Sequence, residues 1–246
     1  MSETAVEIRT NDGTADGFLY QSNGGKPRPG VIHLTDIGGI RASHRGMAQR
    51  LADQGYTVLL PNVFYRTGKP PVFDFPFKPG EERSMKRFAE LVGLLTPEAM
   101  ERDAAAYVDF LAAQPSVSKG PIGVVGYCFT GQMAMRSATA RPDKVVAAAS
   151  FHGARLVTDE PTSPHLALPR IKARLYFGHA VQDHTMPKEA IEKLDESLAA
   201  WGGKYQSEIY NGAFHGWTGP DSSAYNQPQA DRAFGKMKDL FASAVH

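Results

Sequence analysis

The sequence has a single cysteine, Cys128, among its 246 residues. One thiol can form no internal disulfide, and it is too few for a thiolate metal cluster. An excess of charge is also lacking, because 27 lysines and arginines face 26 aspartates and glutamates, leaving a formal net charge of +1. Such a balance does not favour nucleic acid or an anionic membrane surface as a partner. The lone thiol therefore has to be interpreted from the residues around it.

Long hydrophobic runs are missing as well. The chain opens on a polar segment, without the apolar stretch of a signal peptide, and no later run is long enough to span a bilayer. No glycine-rich phosphate loop follows the first strand of the pattern, and the histidines and acids lack the spacing of metal ligands. We therefore expect a cytoplasmic protein, a monomer or homodimer, that needs neither a membrane nor a metal or cofactor.

The pattern of the chain predicts an α/β fold. Short apolar, β-branched runs alternate with amphipathic stretches, which is typical of a mostly parallel, doubly wound sheet flanked by helices. An antiparallel hairpin around Asn11-Asp12-Gly13 precedes it. The length suits one domain, 1–246. The predicted strands cover 6–9, 17–21, 31–34, 56–60, 122–125, 145–150, 174–178 and 205–210, and the predicted helices cover 42–54, 97–114, 132–140, 188–201 and 227–245.

The stretch from about 65 to 95 breaks this alternation. It carries four prolines before Gly80 and then a charged helical run, 81–90. We interpret it as a flap-like insertion over a site. The alternative is a long surface loop with a short helix.

Cys128 ends a run that has the features of a nucleophile elbow. An apolar strand ending in Gly126 leads into Cys128, and a helical stretch follows at once. Because an elbow forces its nucleophile into a strained turn, the residues two positions away must be small. Gly126 meets that demand, whereas Thr130 does not, and the next glycine is Gly131. The motif predicts a nucleophile, with a buried, inert cysteine as the alternative.

The same turn predicts an oxyanion hole. The helix after the elbow would direct free amides and a positive dipole end at the sulfur, which favours a thiolate. The amide of Phe129 is the expected first donor, and the loop after strand 31–34 supplies the second, for which Ile37 is the candidate. The alternative for that loop is an ordinary turn, which Gly38-Gly39 would also suit.

An acid and a base follow in the order that an elbow requires. The strand 174–178 leads into a loop that delivers Asp183, and the strand 205–210 leads to His215. Asp183 alone could be a helix cap, but three suitable residues after three strands form a strong joint signal. Three other histidines compete less well for the role of base: His152, His179 and His184.

These segments together resemble the dienelactone hydrolase family, in which the cysteine of a Gly-Tyr-Cys elbow replaces the serine of most α/β-hydrolases. The resemblance covers nearly the whole chain and implies that a Cys128 thiolate attacks an ester or lactone carbonyl, forming a thioester that water activated by His215 then hydrolyses. It implies no cofactor. The motifs that carry it are Asp36-Ile37-Gly38-Gly39, Gly126-Tyr127-Cys128, Phe177-Gly178, Gln182-Asp183-His184 and Phe214-His215-Gly216-Trp217.

The resemblance also implies a fourth site residue. Family members carry an acid, usually glutamate, after the strand that corresponds to 31–34, where it contacts the nucleophile and helps to activate the thiol. Asp36 stands at that position. Aspartate is one methylene shorter, and a helix-capping role is the alternative.

The substrate-binding positions depart from the family pattern. Members that act on dienelactone bind its carboxylate with two arginines, but Gly219 occupies the first of those positions here. Met85 falls near the second, where a shifted cation, Arg83, Lys86 or Arg87, is the alternative. Arg83 is the nearby cation that we expect to contact substrate, together with Trp217. The pattern fits an uncharged or aromatic ester at least as well as a carboxylated lactone. A function of another class, a non-catalytic binding protein whose thiol packs or senses oxidants, is the alternative to an enzyme.

Overall fold

Eight strands form one sheet in a computed structural model that describes residues 2–21 and 25–246. Their order is β1-β2-β4-β3-β5-β6-β7-β8. β2 pairs antiparallel with β1 and with β4, while the six neighbouring strands β4, β3, β5, β6, β7 and β8 are parallel. The bounds are β1 Ser2–Thr10, β2 Gly13–Gln21, β3 Arg28–His33, β4 Thr57–Pro61, β5 Val117–Tyr127, β6 Val145–Phe151, β7 Arg174–His179 and β8 Tyr205–Ile209.

Helices cover both faces of the sheet because successive residues of each buried strand point to opposite sides. Val125 belongs to one hydrophobic cluster with residues of α1 and α6, whereas Val124 belongs to another with residues of α3, α4 and α5. The helices are α1 Ala42–Ala52, α2 Glu82–Gly93, α3 Pro97–Ala112, α4 Gly131–Ala140, α5 Lys188–Trp201 and α6 Gln227–Ala242. Within the described ranges, none of them is both long and apolar enough to cross a membrane.

The segment between β4 and α3 packs onto the loop that follows β3. It is irregular as far as Glu81 and then forms α2. Val72 is buried against Gly39, where an added Cβ atom would lie 2.8 Å from a Val72 methyl carbon. Leu91 of α2 is also buried. The segment thus combines a loop with a short helix and covers the region beside Ile37, and its role as a flap stays a prediction.

Candidate active site

Cys128 occupies a strained turn between β5 and the helix that follows. Its φ of 54° lies in the left-handed region, which costs energy for a residue with a side chain. A Cβ atom at Gly126 would lie 2.7 Å from the carbonyl carbon of Thr130, so only glycine fits there. The strand-turn-helix geometry that the motif predicts is therefore present.

Thr130 fits this turn, although the elbow motif predicts a smaller residue at this position. Its hydroxyl accepts a hydrogen bond from the Tyr127 amide at 3.0 Å and donates one to the Tyr127 carbonyl at 3.1 Å. The close approach falls one residue later, since a Cβ atom at Gly131 would lie 2.6 Å from the Cα of Gly153. The displaced glycine thus lets the helix start lie directly against the end of β6.

Asp183 and His215 meet at the ends of β7 and β8. The Nδ1 of His215 lies 2.6 Å from Oδ2 of Asp183, and the amide and hydroxyl of Thr185 donate to Oδ1 at 2.9 and 2.7 Å. Burial raises the pKa of Asp183, but its hydrogen bonds and attraction to His215 outweigh burial and lower that pKa to about 2. Asp183 is therefore an ionised, oriented partner for the imidazole.

His215 connects this carboxylate to the sulfur. Burial lowers its pKa, yet hydrogen bonds to Asp183 and to Cys128, with the attraction of both groups, raise that pKa to about 10. Because Nδ1 bonds Asp183, Nε2 is the nitrogen left for the sulfur of Cys128. Cys128 itself is partly exposed. The structure thus brings together the three residues that the sequence predicts as nucleophile, base and acid.

The competing histidines have other contacts. His184 is exposed, and His179 is buried beside the Ser207 hydroxyl at 3.3 Å, with burial lowering its pKa to about 4. The Nδ1 of His152 accepts a hydrogen bond from the backbone amide of Cys128 at 3.1 Å. Sequence analysis missed this last role, because nothing local signals a ring that bonds an amide 24 residues upstream. Nor do three histidine, cysteine, aspartate or glutamate side chains in the described part of the chain group together as a metal site.

Asp36 faces Arg41 and His44. The guanidinium of Arg41 donates to its two oxygens at 2.6 and 2.8 Å, and Nε2 of His44 lies 3.3 Å from Oδ2. Burial raises the pKa of Asp36, but His44 and Arg41 together hold it well below its usual range. The amide of Gly38 donates to Oδ1 at 2.8 Å, closing a turn. Across residues 2–21 and 25–246 no hydrogen bond joins Asp36 to Cys128, and the expected contact with the nucleophile stays a prediction.

The two candidate oxyanion donors lie in the turn of the nucleophile and in the loop after β3. Phe129 lies in the first turn of a short helix, Cys128–Thr130, where amides have no acceptor within the helix. Ile37 lies in the loop after β3, and both Ile37 and Cys128 pack against the same hydrophobic cluster. This placement is consistent with an oxyanion hole, which stays a prediction.

The two predicted substrate contacts fare differently. Trp217 is 0% exposed and stacks on Tyr210 with ring centroids 4.9 Å apart. The expectation that Trp217 contacts substrate is therefore wrong: the indole is part of the core beneath the His215 loop. Arg83 is exposed, but its guanidinium lies over the ring of Phe75 and pairs with Asp74 at 3.3 Å. A substrate carboxylate would have to compete with that aspartate.

A cavity of about 410 Å³ opens between α1 and α6. The rings of Tyr127 and Phe151 line its inner wall, and its lining does not include Cys128 or His215. This cavity is distinct from the surroundings of the sulfur.

Comparison with known proteins finds relatives that are named as carboxymethylenebutenolidases and dienelactone hydrolases. A carboxymethylenebutenolidase of Pseudomonas putida is 27% identical over 242 residues, which are 98% of this chain and 97% of the relative. A dienelactone hydrolase-like promiscuous phosphotriesterase from metagenomic libraries superimposes over all of both chains with a TM-score of 0.81 at 23% identity. For a dienelactone hydrolase from Anabaena variabilis the TM-score is 0.71 at 19% identity, covering 100% and 99% of the chains.

These structural likenesses confirm the predicted α/β-hydrolase fold. The profile of the dienelactone hydrolase family matches residues 15–245, nearly the whole chain. The protein therefore belongs to the dienelactone hydrolase family.

Proposed function

We propose that Cys128 is the nucleophile with which this family member hydrolyses carboxylic esters or lactones. The observation that carries the proposal is the imidazole of His215, which bonds the buried, ionised Asp183 through Nδ1 and has its pKa raised by the partly exposed Cys128 as well as by Asp183. A nucleophile, a base and a group that orients the base are the three parts that covalent acyl transfer needs. The fold alone would not distinguish an enzyme from a binding protein.

In the first half of the reaction, the sulfur of Cys128 attacks the carbonyl carbon and the carbonyl electrons move to its oxygen. The amides of Phe129 and Ile37 are the proposed donors to that oxyanion. His215 gives the proton on Nε2 to the departing alcohol oxygen as its bond to carbon breaks. The products are a thioester on Cys128 and the alcohol, which in a lactone stays attached to the acyl group.

In the second half, water takes the place of the alcohol. His215 accepts a proton from the water that attacks the thioester carbonyl, and the collapsing intermediate releases the acid and regenerates the sulfur nucleophile. Asp183 keeps the proton of the imidazole on Nδ1 and stabilises the charge that forms on the ring. These side chains provide the acid, base and nucleophile for every step.

The proposed substrate is an uncharged or aromatic ester or lactone. Gly219 provides no cation near the base, and Arg83 already pairs with Asp74. Phe214, next to His215, is 52% exposed and can offer an aromatic surface to an acyl or alcohol group. The name of the Pseudomonas relative indicates a carboxylated lactone, from which this chain would differ.

Two further expectations are part of this proposal. We propose a cytoplasmic location, because a catalytic thiol survives best in a reducing compartment. The partner is a small-molecule substrate rather than nucleic acid or a membrane, in line with the balanced charge. Whether the protein is a monomer or a homodimer can be read from its mass in solution.

The test compares the parent with Cys128→Ala and Cys128→Ser on p-nitrophenyl acetate, an uncharged aryl lactone and a dienelactone. Both variants should lose at least about 1,000-fold in kcat, as enzymes do when a nucleophile of this kind is removed. In the parent, rapid quenching with acid and mass spectrometry should detect one acyl group on the peptide that carries Cys128. Unchanged activity in Cys128→Ala would rule out the mechanism, and a folded parent that is inert on all three substrates would favour a binding or thiol-sensing protein.

Substrate charge is tested separately with Arg83→Ala. Because the guanidinium pairs with Asp74, the ratio of kcat/KM for the dienelactone to that for the uncharged lactone should change less than about 3-fold. A selective loss of dienelactone hydrolysis would instead assign Arg83 to the substrate carboxylate.

A further inference from the structure

The segment that follows β6 holds the peptide group of the proposed nucleophile from both sides. The amide of Cys128 donates to Nδ1 of His152 at 3.1 Å, and the carbonyl of Cys128 accepts from the amide of Ala154 at 2.9 Å. An amide in a left-handed turn cannot bond as it would in a strand or helix, so it needs a partner of this kind. The conformation of the elbow therefore depends on a side chain of another strand end.

These contacts define one protonation form of His152. A backbone N–H can only donate, so Nδ1 must carry a lone pair. Nε2 then carries the proton and donates to the hydroxyl of Thr218 at 2.8 Å. The neutral ring protonated on Nε2 is the only form that satisfies both bonds.

His152 also joins the nucleophile to the loop of the base. Thr218 comes three residues after His215, and the ring of His152 lies 5.1 Å from that of His215 and 4.9 Å from that of Trp217 between centroids. His152 itself is 2% exposed and has a φ of 39°, a strained conformation that its backbone bond to Gly178 helps to hold. The imidazole thus bridges the two halves of the site.

We propose that His152 is a positioning residue that holds the Cys128 peptide in its left-handed turn and aligns the sulfur with His215. This inference rests on the proposed function, in which Cys128 is the nucleophile. His152 acts through the backbone of Cys128 and through Thr218, and the triad carries out the chemistry. Its contribution is the preorganisation of the sulfur before substrate arrives.

The surroundings favour the neutral ring. Burial and the positive charge of His215 lower the pKa of His152 well below its usual value, with a further lowering from His44, and they outweigh Asp36 and Asp183, which raise it. A second charged imidazole beside His215 would also present a proton to the Cys128 amide. The ring therefore stays an acceptor at the pH at which His215 is charged.

The test contrasts His152→Asn with His152→Leu. The carbonyl oxygen of asparagine can accept from the Cys128 amide, and asparagine tolerates a positive φ, whereas leucine offers no acceptor. We expect His152→Leu to lower kcat about 30-fold with KM within about 3-fold, and His152→Asn to regain most of the loss. His165→Leu is the control, because His165 is another buried histidine that bonds a hydroxyl, that of Ser163, and we expect it to leave kcat unchanged.

Two measurements are independent of ester hydrolysis, so failure of the proposed function can be told from failure of this inference. The rate of Cys128 alkylation by iodoacetamide should fall in His152→Leu and recover in His152→Asn. In the parent labelled with ¹⁵N-histidine, NMR should show His152 protonated on Nε2 and unprotonated on Nδ1 from pH 6 to 9.

A proton on Nδ1 of His152 would overturn the inference, even if the leucine variant fails to fold. Equal alkylation rates in the parent and in His152→Leu would also overturn it. So would an equal loss of kcat in His152→Asn and His152→Leu. Thr218→Val leaves the strained backbone of His152 untouched and removes only the hydroxyl that its Nε2 bonds. The ring should then sample both tautomers, which lowers the alkylation rate of Cys128 while the fold stays intact. An alkylation rate identical to that of the parent would contradict the proposed bridge.

Discussion

Asp183→Asn removes the negative charge that faces His215 while keeping the size of the side chain and an oxygen for Thr185. In the parent the pKa of Asp183 is about 2, against an ordinary value of 3.8. That difference corresponds to about 2 kcal/mol of stability from the ionised carboxylate. The pKa of His215 shifts by more, from 6.5 to about 10, because Cys128 contributes to that shift as well. The shift of Asp183 is therefore the better measure of the Asp183–His215 pair.

The effect on stability depends on pH in a definite way. A carboxylate with a lowered pKa stabilises the fold above 3.8, and this contribution is lost as the pH falls through about 2. An imidazole with a raised pKa stabilises the fold below 6.5, and this contribution is lost as the pH rises through about 10. The free energy of unfolding of the parent should therefore exceed that of Asp183→Asn most clearly between pH 3.8 and pH 6.5. The difference should shrink towards more acidic and more alkaline pH.

Urea unfolding of both proteins from pH 3 to 10 measures this difference, and NMR of labelled histidine follows the pKa of His215, which should fall in the variant. Activity should drop by about four orders of magnitude, because an amide does not hold the imidazole in its productive tautomer. A stability difference that does not change with pH would refute the ion pair. Activity within tenfold of the parent would refute the assignment of Asp183 as the group that orients the base.

The other predictions concern the elbow and its neighbours. Gly126→Ala should lower Tm by about 5 °C and abolish single-turnover acylation, since the added methyl meets the Thr130 backbone; an active variant with the parental Tm would contradict this in a thermal scan. Arg41→Met should cost about 1–3 kcal/mol in urea unfolding at neutral pH, because it leaves Asp36 and Asp221 without their shared cation. The loss of unfolding free energy in Arg41→Met should shrink in acid as Asp36, whose pKa is held well below 3.8, takes up a proton. An equal loss at neutral and at acidic pH would be inconsistent with the ion pairs.

Much of the architecture could be predicted because its signals are local. α5 begins and ends at the predicted residues, since a clear apolar periodicity runs from Lys188 to Trp201 and Gly202 follows in a left-handed conformation. β5 starts at Val117 rather than at 122, because its first residues include Gly120 and Pro121 and lack the apolar pattern of the buried part. Hydrophobic patterning detects the buried part of a strand and misses its exposed extension.

The placement of the three candidate triad residues could also be predicted, because each follows a strand of the sheet and parallel strands end at one edge. The rest of the site depends on contacts that no local pattern encodes. Asp36 has the position of the family acid, but the guanidinium of Arg41, five residues further along the chain, donates hydrogen bonds to both its carboxylate oxygens. Trp217 follows the base closely and yet turns into the core, because its indole stacks on Tyr210. Side-chain direction after a turn is a tertiary property.

Arg41 has a consequence for how this enzyme could be redesigned. Its guanidinium bonds Asp36, which precedes the candidate oxyanion donor, and Asp221, in the loop beyond the base and 180 residues further along the chain than Arg41. Because loops carry binding residues, exchanging a single loop for that of a related enzyme is one way to change specificity. Here such a graft would leave an unpaired charge behind, so the Asp36 loop and the Asp221 loop form one unit of exchange. Libraries that vary substrate preference should therefore carry both loops together.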